Sequence, residues 1–264
     1  MARPTHPSEA EGEEPNCYRK SFFIPASMLV SKGIENSSKL RLKELEPDND
    51  PSLRFGVRSL DDSVGGFKYH DFAVLYGSRY ALTLAQLLAV RAQRPLHEHG
   101  LNSTILLVDA GCSFEPYGVS SFAQSQGMNP RDALERIYLS RAFTVYQLSS
   151  LIYEWLPRAI EEYDAKLVII SALFELFTDP DIPRKEILPL FHYISKLLSK
   201  LALKEETVIL VAVPYRDASP KMDTLLKLLK SRADIILELE ERLSQANSRE
   251  ASPNRTRLRG CPSK

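Results

Sequence analysis

Apolar runs of strand length alternate along most of the chain with longer segments in which apolar residues recur at helical spacing. The runs predict six strands, at residues 72–76, 104–109, 137–140, 167–171, 208–213 and 235–239. Each run is apolar at consecutive positions rather than at every second one, which is typical of strands covered on both faces. The pattern therefore predicts an α/β fold with a mostly parallel central sheet flanked by helices.

Three segments carry an apolar stripe at the spacing of an α-helix. They lie at residues 84–88, 145–160 and 187–201. Pro189 falls inside the third stripe and predicts either a kink or a late helix start. Ahead of the first strand, Leu60 and Val64 followed by Gly65 and Gly66 predict a short helix closed by glycines.

The carboxyl ends of the predicted strands mark the edge at which a ligand would bind. In open parallel sheets, ligands occupy the crevice beyond those ends. Here the loops at that edge follow Tyr76, Asp109, Ser171 and Val213. These four loops are the places to look for functional side chains.

The turn at residues 76–82 stands where a nucleotide-binding protein places its phosphate loop, G-x-x-x-x-G-K-[ST]. It reads YGSRYAL, with Gly77 as its one glycine and Arg79 as its one cation, and the letters AL stand about where Lys-[ST] would be. A phosphate loop needs that lysine for the β- and γ-phosphates and the hydroxyl for Mg²⁺. The turn predicts a degenerate site. Anion binding on free N–H groups at Gly77, Ser78 and Arg79 is the alternative to a simple capped turn.

Composition favours one large α/β domain with tails. The 264 residues carry 34 basic and 34 acidic side chains, so the net charge gives no argument for nucleic acid or membrane. We predict a disordered or loosely docked extension and linker over residues 1–50 and a core over 51–241. A basic segment follows over residues 242–264, with six cations against one glutamate.

Cysteine and histidine usage predicts neither a metal site nor a disulfide framework. Cys17, Cys112 and Cys261 are scattered without CxxC spacing, which fits a reducing compartment. His97 and His99 lie in a polar turn and are expected to be solvated. The chain has no run of about 18 apolar residues and no apolar leader after its first arginine. A cytoplasmic, nucleoid-associated location is expected, or a nuclear one in a eukaryote, with no membrane contact.

Three blocks of the sequence resemble the ATPase core of the RecA/RadA recombinase superfamily. They are GVRSLDDSVGG at residues 56–66, ILLVDAGCSFEPYGV at 105–119 and GMNPRDALERIYLSRAFTVYQL at 127–148. The third block is similar almost position for position to the helix, strand and Arg-Ala-Phe segment of recombinases. The resemblance covers roughly residues 55–264 and is to a recombinase paralogue of the archaeal RadA type. It implies a RecA-like core.

The resemblance also implies where a nucleotide site would lie, and its positions are altered. Catalytic members carry a glutamate after the strand that ends at Asp109, and this chain has Gly111 there. Ser171 stands in the place of the aspartate that orients the Mg²⁺-bound water. With the phosphate lysine also missing, these replacements predict a pseudo-ATPase that binds no cofactor. Asp109 is equally typical of a strand-end carboxylate that caps its own loop.

DNA binding is a second activity that the resemblance implies. In recombinases the loops after the fourth and fifth core strands approach single-stranded DNA, and here they span residues 177–186 and 214–232. Candidate DNA-binding residues in these loops and in the basic C-terminal segment are Arg184, Lys185, Tyr215, Arg216, Lys221, Arg255, Arg257 and Arg259. Such a surface would lose affinity steeply with added salt. A solvated helix face is the alternative reading of the lysines.

A partner-binding motif is the third feature that the resemblance implies. Recombinases polymerise by offering a Phe-x-x-Ala peptide to the sheet edge of a neighbour, and residues 23–26 read FIPA upstream of the core. Phe23 and Ala26 are therefore candidate partner-binding residues for a RadA-type recombinase or another paralogue. A local staple of Phe22 and Phe23 onto the chain's own core is the alternative.

The altered site and the recombinase-like block together predict a non-catalytic recombinase paralogue. It would be an accessory subunit in homologous recombination and DNA repair. Two alternatives stay open. One is a nucleotide-switching ATPase of the same superfamily, in which Arg79 or a partner supplies the missing charge. The other is a KaiC-like regulatory protein that acts outside DNA transactions.

Overall fold

The computed structural model describes residues 23–29, 52–214 and 219–239. The predicted basic segment over 242–264 and most of the predicted N-terminal extension lie outside the described residues. The candidate DNA-binding residues that also lie outside them are Tyr215, Arg216, Arg255, Arg257 and Arg259. The same holds for the side chains of Met28, Leu29 and Arg184.

Within the described residues, seven strands form one sheet at the centre of the molecule. They are β1 Ile24–Pro25, β2 Phe72–Tyr76, β3 Thr104–Asp109, β4 Ile137–Arg141, β5 Ala165–Ser171, β6 Val208–Val213 and β7 Ile235–Glu238. Their order across the sheet is β1-β4-β3-β5-β6-β2-β7. Only β1 pairs in the antiparallel sense, with β4, and every other pair is parallel. This topology confirms the predicted α/β fold.

Helices lie between the strands, and the three apolar stripes match three of the helical segments. The helices are α1 Arg58–Val64, α2 Tyr80–Arg91, α3 Pro116–Ser125, α4 Pro130–Glu135, α5 Val145–Ser150, α6 Leu156–Tyr163, α7 Arg184–Lys204 and α8 Pro220–Lys230. A wider turn of π type, Leu151–Trp155, joins α5 to α6, so the stripe over residues 145–160 is one continuous helical segment. Pro189 lies inside α7, so the alternative of a late helix start is wrong.

Side chains alternate along the inner strands between two hydrophobic cores. Val108 and Ile170 pack with α5, α6, α7 and α8 on one face of the sheet. Leu107 and Ile169 pack with α2, α3 and α4 on the other. Because both faces are covered, consecutive strand positions are all apolar. This explains why the strand runs are readable in the sequence.

The strand register places the candidate loops at one edge of the sheet. Asp109, at the end of β3, is the register partner of Ser171, at the end of β5. Tyr76, at the end of β2, is the partner of Val213, at the end of β6. The four loops singled out in the sequence therefore open at the same edge, as parallel topology requires. Among the described residues, no helix has the length and apolarity needed to cross a membrane.

The two-residue strand β1 is not predicted by the sequence pattern. Two residues are too few to show strand periodicity, and Pro25 is unusual inside a sheet. Proline is tolerated here because β1 is the outermost strand. The segment assigned to a loosely docked extension thus contributes an edge strand to the core.

Candidate functional site

The turn between β2 and α2 has three residues, Gly77, Ser78 and Arg79. Gly77 has φ +111°, a conformation that side chains rarely adopt. A Cβ at this position would lie 2.7 Å from the carbonyl oxygen of Leu239, the residue that follows β7. Leu239 also donates its N–H to the carbonyl of Tyr76. The glycine of this turn is therefore required for the close approach of another segment of the chain.

Hydrogen bonds within the turn occupy the amides at the start of α2. The N–H of Tyr80 donates to Oγ of Ser78 at 3.2 Å. The N–H groups of Ala81 and Leu82 donate to the carbonyls of Ser78 and Arg79 at 3.0 and 3.1 Å. A phosphate cradle needs such amides to point at the ligand without an internal acceptor. The first turn of α2 is thus closed by its own hydrogen bonds, although the side chain of Arg79, the residue before the helix, does not cap it.

Asp109 is fully buried and its carboxylate is bonded on both oxygens. Oδ1 accepts from the N–H of Ser113 at 2.9 Å, from Oγ of Ser113 at 3.1 Å and from Oγ of Ser171 at 3.0 Å. Oδ2 accepts from the N–H of Phe114 at 3.2 Å and faces Nε of Arg141 at 3.4 Å. The structure thus brings together the predicted residues Asp109 and Ser171. Sequence reasoning missed Arg141, although it lies in the block at 127–148.

Gly111 lies in the loop that follows β3, and atoms of neighbouring residues fill the space where a side chain would lie. A Cβ at this position would be 2.5 Å from Cβ of Ala172 and 2.9 Å from Cγ of Glu175. Contacts that short do not occur between real side chains, so a larger residue would have to displace Ala172. A glutamate at position 111 would therefore fit only if this loop or Ala172 moved.

The cavity beside the first turns of α2 is small and mainly apolar. A cavity between α2 and strands β3 and β5 has room for about one water molecule. Its walls are Leu82, Ala85, Gln86, Leu107, Ser113, Phe114, Ile169 and Ser171. Such a cavity cannot take a nucleotide.

A second polar cluster ties β2, β7 and α8 together at the same edge. Tyr76 donates its hydroxyl to Oε2 of Glu238 at 2.5 Å, and Nζ of Lys230 donates to the Tyr76 hydroxyl at 2.6 Å. Burial raises the pKa of Tyr76, and its hydrogen bond to Glu238 raises it further, while Lys230 lowers it. Sequence reasoning missed this cluster because Tyr76 is 154 residues from Lys230 and 162 residues from Glu238, and no local pattern links positions that far apart.

Two of the candidate DNA-binding side chains are described. Lys185 is exposed in the first turn of α7, and Lys221 is partly buried in the first turn of α8. These helices follow β5 and β6, so both lysines lie toward the carboxyl edge of the sheet. Arg184 begins α7, but its side chain is outside the described part of the chain.

Phe23 and Ala26 both pack inside the chain's own fold. Phe23 is 3% exposed in the core shared by α5, α6, α7 and α8, and Ala26 is fully buried in the opposite core. Ile24 pairs with Leu139 of β4. Phe23 therefore packs onto the chain's own core, as the local-staple alternative predicts. Phe22, the other residue of that staple, lies outside the described residues.

In the described part of the chain, no three His, Cys, Asp or Glu residues form a cluster that could hold a metal ion. Cys112 is exposed with a free thiol. His97 is exposed, as expected, but His99 is buried at the end of a short turn with a left-handed backbone, so the expectation that it is solvated is wrong.

Comparison with known proteins places these features in context. A family model described as Rad51 matches residues 52–222. The chain is 32% identical over 157 residues to "DNA repair protein RAD51 homolog B" of Zea mays, an alignment that covers 58% of this chain and 45% of that protein. It is 27% identical over 179 residues to "Meiotic recombination protein DMC1 homolog B" of Oryza sativa subsp. japonica, covering 67% and 51%. The chain spans about half the length of the curated relatives it matches.

Proposed function

The chain belongs to the Rad51 family, within the RecA/RadA recombinase superfamily, and from that membership we propose that it is a non-catalytic recombinase paralogue. It acts as an accessory subunit in homologous recombination and DNA repair. The relatives named as a DNA repair protein and a meiotic recombination protein support this role. Its partner is a RadA-type recombinase or another paralogue.

The closed turn between β2 and α2 carries the proposal. Three residues separate the strand from the helix, and the first amides of α2 already donate to Ser78 and Arg79. Phosphoryl transfer depends on a loop that wraps the phosphates with free amides and a lysine. The residues of this turn do not fit a magnesium triphosphate, and no catalytic step is assigned to them.

The two neighbouring loops support the same conclusion. The carboxylate of Asp109 is used on both oxygens by Ser113, Phe114, Ser171 and Arg141. A glutamate at position 111 would collide with Ala172 and Glu175 unless the loop moved. Residues that would position water and metal in an ATPase are thus replaced by a packed and internally bonded loop pair.

Nucleotide titration tests the proposal directly. The purified full chain is titrated with a fluorescent ATP analogue and Mg²⁺, with a RadA-type recombinase as the positive control under the same conditions. We expect no saturable binding and no hydrolysis above background by this chain. Tight Mg²⁺-dependent binding would support the nucleotide-switching alternative instead.

Partner binding is tested with purified components. The chain is mixed with a RadA-type recombinase, and complex formation is followed by size-exclusion chromatography with and without nuclease treatment. We expect a complex that survives nuclease treatment, because the proposed contact is between proteins. A complex that disappears with nuclease would mean that DNA alone bridges the two, and no complex with recombinase or paralogue would contradict the proposed role.

A further inference from the structure

The loop between β5 and α7, residues 172–183, packs into the fold instead of lying on its surface. A short 3₁₀ turn, Glu175–Thr178, forms the middle of this β5–α7 loop. Most of its large apolar side chains are buried in the core shared by α5, α6, α7 and α8, namely Leu173, Phe174, Phe177 and Ile182. Loops usually run over the surface of a protein. This one is part of the hydrophobic core.

Two aromatic rings of the loop contact one ring of α7. The ring centroid of Phe174 lies 5.6 Å from that of Phe191, with an angle of 72° between the ring planes. Phe177 lies 5.0 Å from Phe191 at an angle of 81°. Both are edge-to-face arrangements, which aromatic pairs prefer over face-to-face stacking. The loop is thus fixed to α7 by directional contacts as well as by burial.

Backbone hydrogen bonds fix the first half of the loop. The N–H of Ala172 donates to the carbonyl of Ala212 at 2.8 Å, which joins the start of the loop to β6. Within the loop, the N–H groups of Glu175 and Phe177 donate to the carbonyls of Ala172 and Phe174, each at 3.0 Å. Amides that are bonded inside a packed segment exchange slowly with solvent. The order of this loop can therefore be measured.

The loop also packs against the loop that follows β3. A Cβ at Gly111 would lie 2.5 Å from Cβ of Ala172 and 2.9 Å from Cγ of Glu175. The β5–α7 loop thus fills the space into which a side chain at position 111 would extend. Glycine at this position and the packed conformation of the loop depend on each other.

The end of the loop is fixed at the start of α7. The N–H of Glu186 donates to the carbonyl of Pro183 at 2.8 Å. The hydroxyl of Tyr146, in the first turn of α5, donates to Oε2 of Glu186 at 2.9 Å. Both ends of the loop are therefore attached to neighbouring elements.

We propose that the fold itself holds the β5–α7 loop in one conformation, so that neither nucleotide nor nucleic acid is needed to order it. A loop that orders only on binding loses conformational entropy at that step, whereas a preformed loop does not. The fixed conformation depends only on the contacts described above. Its use as a preformed surface for a partner or for single-stranded DNA rests on the proposed function.

Hydrogen–deuterium exchange of the full chain tests the proposal. Exchange over residues 172–183 is followed by mass spectrometry for the chain alone, with an oligothymidylate, and with ATP and Mg²⁺. We expect exchange in the free chain at least about tenfold slower than in an unstructured peptide of the same sequence, and no further slowing with either addition. Exchange at the unstructured rate in the free chain would overturn the proposal, and so would a slowing caused by either ligand.

Phe174→Leu tests whether the aromatic contact holds the loop. Leucine keeps an apolar side chain in the core but loses the edge-to-face contact with Phe191, so exchange in the loop should rise about fivefold. Phe143→Leu is the matched control. Its side chain is 65% exposed in the neighbouring loop after β4, and exchange over residues 172–183 should stay at the wild-type rate. Equal exchange in both variants would show that Phe174 does not hold the loop.

The experiment remains decisive if a variant or the proposed function fails. Thermal melting establishes that each variant is folded, and if Phe174→Leu does not fold, the three wild-type measurements decide the question. The first of these uses the chain alone, so a failure to bind DNA or a recombinase leaves its result unchanged. The proposed function and the order of the loop are therefore tested separately.

Discussion

Asp109 and Ser171 are register partners at the ends of β3 and β5, and the Ser171 hydroxyl donates to Oδ1 of Asp109 at 3.0 Å. Both occupy positions that the family resemblance assigns to nucleotide chemistry. In this chain their hydrogen bond joins the loops that follow β3 and β5. These polar atoms therefore serve the stability of the fold.

The first prediction concerns the hydrogen bond between Ser171 and Asp109. Ser171→Ala should lower the free energy of unfolding by about 1 kcal/mol, because a buried acceptor loses one donor. Asp109→Asn should cost more, about 3 kcal/mol, since an amide NH₂ would face N–H donors and Arg141 would lose its counter-charge. Urea denaturation measures both.

Glu135→Gln is the matched control for removal of a carboxylate. Glu135 pairs with Arg131 on the surface of α4, with both side chains at least half exposed. Its change should stay within about 0.5 kcal/mol. An Asp109→Asn variant as stable as the wild type would show that the carboxylate is not a structural element.

The second prediction concerns Gly77. Gly77→Ala should destabilise the fold by about 3 kcal/mol, because it combines a left-handed backbone with a Cβ 2.7 Å from the Leu239 carbonyl oxygen. Gly127→Ala is the control: Gly127 has φ +71° but no heavy atom near its Cβ position. It should cost only about 1 kcal/mol of backbone strain. Thermal or urea unfolding gives the difference.

The difference between these two variants reports the close approach of β7 to the turn. If Gly77→Ala costs no more than Gly127→Ala, the chain after β7 does not pack on Gly77. The turn would then be open at the place where a phosphate loop receives its ligand.

The sequence was sufficient to predict six of the seven strands of the described sheet and the edge at which the candidate site lies. The predicted strands at 72–76, 104–109 and 208–213 match β2, β3 and β6, because strands buried on both faces are apolar at every position. Parallel topology then requires the ends of these strands to meet at one edge. The juxtaposition of Asp109 and Ser171 follows from that requirement.

Other features depend on long-range contacts that leave no local pattern. Arg141 reaches Asp109 from the adjacent strand, and Tyr76 meets Lys230 and Glu238 from distant segments. The pairing of β1 with β4 leaves no strand-length pattern, although Phe23 and Ala26, both buried, stand out in the sequence as candidate partner-binding residues. Side-chain pairing across elements is decided by packing, which residue spacing does not encode.

The third prediction concerns the pH dependence of stability at Tyr76. Burial and the hydrogen bond to Glu238 raise its pKa above the ordinary 10.0. A raised pKa in the folded state gives stability that is complete below pH 10 and is lost as the pH rises through the folded pKa. Tyr76→Phe should cost about 1 kcal/mol at pH 7, and the difference from wild type should shrink above pH 10.

Urea unfolding of both proteins between pH 7 and pH 11 measures this difference, and the upper end of that range lies about one pH unit above the ordinary tyrosine pKa. Tyr117→Phe, at a side chain 62% exposed, is the control and should change stability by less than about 0.5 kcal/mol. If the stability of the wild type relative to Tyr76→Phe increased above pH 10, the assigned direction of the Tyr76 pKa shift would be wrong.

The fourth prediction concerns single-stranded DNA, and it rests on the proposed function. Lys185 is exposed in the first turn of α7, toward the carboxyl edge of the sheet. If the full chain tracks phosphates there, log affinity should fall linearly with log salt concentration. Lys185→Gln should weaken binding to every sequence and reduce the salt slope by about 1. Fluorescence anisotropy with a labelled oligonucleotide at several salt concentrations measures both quantities.

Lys200→Gln is the matched control for this experiment. Lys200 is also exposed on α7 but lies about 22 Å further along the helix, toward the opposite edge of the sheet. Its removal should leave the salt slope unchanged, because it is too far from a strand bound at the carboxyl edge. Equal losses from Lys185→Gln and Lys200→Gln would show that only diffuse charge attracts the DNA. Binding that does not respond to salt would contradict the expectation of a phosphate-tracking surface.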